Sequence, residues 1–84
     1  LLDHAATAQL FPACAARGAS VLVGGPYNSV LLAGGDTFDY RGAPAAMIAR
    51  RDAIAAVCDA HGVALKAAAL HFCAAATVVS CVVV

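Results

Sequence analysis

The segment Gly24-Gly25-Pro26-Tyr27-Asn28-Ser29 holds the residue types best suited to chemistry in this chain. A backbone that approaches a phosphate needs positions without a bulky Cβ and amides free to donate. Gly24 and Gly25 supply the first, and Asn28, Ser29 and the N–H groups of the next turn supply the second. The spacing is not G-x-G-x-x-G, so the dinucleotide fingerprint of doubly wound folds is absent. Gly-Pro pairs also mark ordinary turns, and by spacing alone a plain tight turn is the simpler reading.

The other constellations are thinner. Cys58 and His61 stand three apart and could hold a metal with Cys14 or His4. Zinc wants four ligands, no second pair completes the set, and core packing with a helix-end histidine explains both residues. His71 and Cys73, two apart on a helix, point to different sides and have no third orienting group, which argues against a nucleophile pair. Asp36 and Asp39 lack the third carboxylate and the glycine of a calcium loop. Tyr27 and Tyr40 are candidates for stacking on a planar ligand or for anchoring their loops. No catalytic residue and no metal ligand is assigned.

The elements that must position the Gly-Pro loop follow from periodicity. Ala19 to Val23 is an aliphatic run without polar alternation, as in a strand covered on both faces, and ligands bind at the carboxyl ends of such strands in α/β proteins. Before it, His4 to Arg17 carries a helical pattern with Leu10, Phe11 and Cys14, ended by Gly18. Pro12 either kinks that helix or moves its true start to near Leu10. After the loop, Ser29 to Ala33 fits one helical turn and Gly34 to Pro44 a long polar loop. Pro44 fits the first turn of a helix whose stripe is Met47, Ile48, Arg51, Ile54, Ala55, Cys58 and His61, stopped by Gly62. A second helix carries Leu65, Ala68, Ala69 and Phe72, with Lys66 on the other side, and Val78 to Val84 reads as a buried strand. The alternation predicts an α/β fold with parallel strands and crossover helices.

Bulk composition narrows the function classes. The chain has 84 residues, 63% of them hydrophobic and 12% charged, against roughly 45–50% and 25% in ordinary domains. So little polar surface implies that something else covers the excess, whether further sequence, a partner or a membrane. Five basic and five acidic residues cancel, and without a basic cluster beyond Arg50-Arg51 no nucleic-acid partner is expected. The four cysteines lie within apolar patterns and read as reduced, buried thiols of a cytoplasmic protein. Ala67 to Val84 carries no formal charge, but His71, Thr77 and Ser80 and the shift to β-branched residues argue against a membrane span.

Leu1-Leu2-Asp3, Gly24-Gly25-Pro26-Tyr27-Asn28-Ser29, Leu31-Leu32-Ala33-Gly34-Gly35, Ala55-Ala56-Val57-Cys58 with His61-Gly62-Val63, and Ala67-Ala68-Ala69-Leu70 occur in order along the whole chain. Together they resemble the C-terminal part of aldo-keto reductases, closest to the bacterial aldose and pyridoxal dehydrogenase branch. The resemblance implies a (β/α)8 TIM barrel, of which residues 1–84 would form an incomplete piece from the end of strand 6 to strand 8. It implies a nicotinamide cofactor, NAD or NADP, whose pyrophosphate would lie along Gly24, Gly25, Pro26, Asn28, Ser29 and Leu31, mostly on backbone N–H groups. It also implies hydride transfer to or from a small sugar or aldehyde. The family's catalytic Asp, Tyr, Lys and His would precede Leu1, so Tyr27, Tyr40, Lys66 and the histidines inherit no role, and the 84 residues alone would be inactive.

This sequence departs from the family at four places. Val30 stands where glycine is usual, Cys73 where proline is, Ala76-Thr77 where His-Pro is, and Val84 where the chain turns with Pro-Gly. A second reading stays open: a non-enzymatic structural or interaction module whose apolar excess meets a partner or a membrane.

Overall fold

The computed structural model describes residues 1–84. Two short helices open it, α1 (Ala5–Ala8) and α2 (Leu10–Ala16), separated at Gln9, whose φ of −125° and ψ of −52° break the helical path. Of the two outcomes expected for Pro12, the start near Leu10 holds. The proline lies in the first turn of α2, where a missing N–H costs nothing. Asp3 Oδ1 accepts the Ala5 N–H at 2.9 Å and caps the entry. Gly18, at φ +68°, ends α2 as expected: its N–H reaches Ala15 O at 3.1 Å while Ala19 N–H reaches Cys14 O at 2.9 Å, the paired bonds of a Schellman motif.

Strand β1 (Val21–Gly24) leads into the Gly-Pro loop and a 3-10 turn at Leu31–Ala33. The segment Gly34 to Pro44, expected as a long polar loop, contains a hairpin, β2 (Thr37–Phe38) against β3 (Arg41–Gly42). Asp39 and Tyr40, at φ +50° and +63°, form a two-residue turn of the kind that matches strand twist. Pro44 sits one position before helix α3 (Ala45–Ala60) rather than inside it, with φ −59° and ψ 147°. Helix α4 (Leu65–Ala74) and strand β4 (Val79–Val83) complete the chain. The predicted α3 stripe faces inward from Met47 to Cys58, and His61 is exposed. Gly62, at φ +67°, repeats the Schellman ending.

β1 and β4 pair in parallel, Leu22 with Cys81, Val23 with Val82 and Gly24 with Val83, so both strands finish at the same end. The chain is therefore α/β with parallel strands joined through helices. Its core lies under the loop rather than between layers. Leu31, Leu32 and Ala69 are fully buried, Leu2 nearly so, and Tyr27, Phe38, Met47, Ile48, Ile54 and Leu65 pack around them.

Two expectations are corrected. The strands are not covered on both faces, because α4 packs against β4 on one side and no element covers the other; Leu22 is 68% and Val83 57% exposed. The thiols are free but not buried: Cys14, Cys58 and Cys73 are half-buried and Cys81 is exposed. The accessible surface, 5387 Å², exceeds the roughly 4,600 Å² of a closed monomer of this mass. The radius of gyration of 13.6 Å likewise exceeds the roughly 12 Å expected for its length.

Candidate functional site

The loop at the shared carboxyl end of β1 and β4 departs furthest from ordinary backbone. Gly25 has φ +62°, and Asn28, Ser29 and Val30 follow at +49°, +56° and +69°. An L-residue in this region loses roughly 1–2 kcal/mol, and a β-branched one is an outlier. Such strain persists only where the surroundings over-determine it.

Here they do. Leu32 N–H reaches back to Tyr27 O at 3.0 Å, and Val30 O accepts from both Ala33 N–H at 3.0 Å and Gly35 N–H at 2.8 Å. The β2–β3 hairpin clasps Ser29 from above: the Thr37 hydroxyl donates to Ser29 O, and Ser29 Oγ accepts the Tyr40 N–H at 3.0 Å. From α3, Arg51 Nη1 donates to Gly35 O at 2.9 Å and to Leu31 O at 3.4 Å. Leu31 and Leu32, fully buried, anchor the end of the loop in the core.

What is left unspent is a set of donors. The N–H groups of Gly25, Tyr27, Ser29 and Val30 have no acceptor within the chain. The residues proposed from sequence divide accordingly. Gly24 and Gly25 are exposed, Pro26 is buried and has no N–H to give, and Asn28 and Leu31 direct theirs to Gly25 O and Asn28 O, both at 3.3 Å. Gly25 and Ser29 keep theirs, and Tyr27 and Val30 join them. The loop can thus offer backbone donors to an anion, with no acidic or basic side chain among Gly25, Tyr27, Ser29 and Val30.

Several contributors were absent from the sequence reading. Arg51 had a visible signal, a charged residue on an otherwise apolar stripe. Thr37 had none, because its role depends on a hairpin without the usual Asn-Gly turn, and Tyr40, expected to stack or anchor through its ring, contributes its backbone N–H instead. Gly35 is required sterically: a Cβ there would lie 2.6 Å from Val30 Cγ2.

The remaining candidates do not converge. Tyr40 is 95% exposed, whereas Tyr27 packs on the core with Lys66 Nζ 5.6 Å from its ring centre. No three His, Cys, Asp or Glu side chains gather as a metal would require. A separate apolar cavity of about 400 Å³ is lined by Leu1, Phe11, Val23, Phe72 and Cys73 and shares no residue with the loop. The His4 ring stacks on Phe72 at 4.7 Å beside it. No helix is long and apolar enough to cross a membrane, and α3 and α4 meet at 97°.

No family model matches the chain, and no solved structure matches it. It is similar to the pyridoxal 4-dehydrogenase of Microbacterium luteolum, 38% identical over 76 residues. That alignment takes in 86% of this chain and 22% of the relative, so the chain spans a minor part of a dehydrogenase's length. The similarity to an oxidoreductase agrees with the resemblance drawn from the five sequence segments.

Proposed function

We propose that residues 1–84 are the C-terminal segment of an NAD(P)-dependent oxidoreductase of the aldo-keto reductase type, acting on an aldose or small aldehyde. The observation that carries this reading is the strained loop at the common carboxyl end of two parallel strands, with four unspent amides. Parallel α/β sheets bind ligands at that end. In this reading the rest of a (β/α)8 barrel covers Leu22 and Val83, the exposed large hydrophobic side chains of β1 and β4.

The loop's chemistry fits the pyrophosphate of a nicotinamide cofactor. Gly25, Tyr27, Ser29 and Val30 would hold it through backbone N–H groups, and a rigid array of amides loses little on reorganisation when an anion arrives. The cofactor would supply hydride exchange with the substrate's carbonyl carbon. This chain's residues bind and orient, while the proton is handled by groups that precede Leu1. The cytoplasm suits four free thiols.

The experiment is to read the gene upstream of Leu1 and express the extended chain. The expected result is an in-frame extension with the Asp, Tyr, Lys and His of the family, and either NAD(P)H production as an aldose is oxidised or NAD(P)H consumption as a small aldehyde is reduced. A start codon beside Leu1, with a cooperative thermal transition of the 84 residues alone, would instead establish the interaction module, for which the exposed Leu22 face is the supporting observation.

A further inference from the structure

We infer that Arg51 is the positioning residue of the loop: from α3 it holds the left-handed turn Asn28–Val30 in the shape that presents the Ser29 and Val30 amides to an anionic cofactor. The inference rests on the reading of the loop as a pyrophosphate site.

Arg51 lies on the apolar stripe of α3 between Ile48 and Ile54, and its side chain is only 19% exposed. Its Nε meets the Asp52 carboxylate at 2.7 Å, but Asp52 is 62% exposed, and pairs so open to water contribute little. The inward end of the guanidinium goes to main-chain oxygens instead. Gly35 O at 2.9 Å and Leu31 O at 3.4 Å lie just beyond the strained turn, and Gly35 in turn donates to Val30 O at 2.8 Å. Guanidinium, Gly35 and Val30 are thus linked in series. A single nitrogen, Nη1, reaches both carbonyls while Nε is held by Asp52, so a shorter-reaching ammonium can replace the contact only in part. Because the loop's ligand-facing groups are all main-chain, their placement depends on what fixes the backbone, and Arg51 is the one charged side chain that does so.

The test compares Arg51→Met and Arg51→Lys in the protein expressed from its full gene. Amide hydrogen exchange reads the loop, and calorimetry with NADP and with inorganic pyrophosphate reads the site. Losing a charge-assisted bond should accelerate exchange at Leu32 and Gly35 about thirty-fold in Arg51→Met. Affinity for both probes should fall about ten-fold or more, and Arg51→Lys should recover part of each effect. Unchanged exchange would overturn the role of Arg51. Faster exchange with unaltered affinity would overturn the coupling of Arg51 to the ligand, and no binding of either probe by the wild type would overturn the reading of the loop itself.

Discussion

Gly35→Ala tests whether Val30 and Gly35 form one steric unit. An alanine Cβ would lie 2.6 Å from Val30 Cγ2, 3.2 Å from Val30 Cβ and 3.0 Å from Val30 O. Carbon atoms rest about 3.5–4.0 Å apart, so the overlap with Cγ2 is about 1 Å. Val30 has little room to retreat, because its carbonyl is held by Ala33 and Gly35 N–H groups and its β-branched side chain has few rotamers. Overpacking of this kind costs roughly 1–3 kcal/mol. The gain from a less flexible unfolded chain returns roughly 0.4–1 kcal/mol, leaving a net loss of about 1 kcal/mol or more. In a Val30→Gly background Cγ2 and Cβ are gone and only the carbonyl contact remains. There Gly35→Ala should be close to neutral, giving a coupling of about 1 kcal/mol. The four proteins of the cycle are compared by hydrogen exchange at Leu32 and Ala33, whose bonds close the loop. If Gly35→Ala costs the same in both backgrounds, the steric link is wrong.

Other outcomes follow from the same structure. Gly18→Ala and Gly62→Ala should each destabilise the extended protein by about 1 kcal/mol in a denaturant titration, since both glycines hold left-handed positions after a helix. Cys81 should react with a maleimide faster than Cys14, Cys58 or Cys73 in the 84-residue chain, as read by peptide mass mapping. In the extended protein it should become protected, because the proposed barrel covers that face. Leu22→Lys should reduce binding of a hydrophobic dye to the 84-residue chain and disrupt the extended protein, a contrast visible by fluorescence and by thermal melting.

The features legible in the sequence were those written locally. Gly18 and Gly62 announced helix ends, the stripe from Met47 to Cys58 was the inward face of α3, and the runs Ala19 to Val23 and Val78 to Val84 held strands, observed at Val21–Gly24 and Val79–Val83. What escaped depended on contacts between distant segments. The hairpin at Thr37–Gly42 escaped because Asp39 and Tyr40 hold positive φ without glycine, and their geometry is fixed by pairing and by Ser29. The hydrogen bonding inside the loop was illegible for a similar reason. Residue type shows that an amide exists but not where it points, and Asn28 and Leu31 turned theirs onto the loop itself. Burial of the strands was overread, because an aliphatic run records the surroundings for which the strand was selected, which these 84 residues do not supply by themselves.

The loop's clasp also has a consequence for the order of folding. Its ties span 8 residues from Ser29 to Thr37, 11 from Ser29 to Tyr40 and 16 from Gly35 to Arg51. The Ser80 hydroxyl bond that links β4 to β1 spans 59. Closing the longer span costs about 1 kcal/mol more in chain entropy than closing sixteen residues, and contacts of low separation form first. The turn, hairpin and first half of α3 can therefore acquire their shape before β4 has been synthesised, leaving the sheet to close around a site already formed.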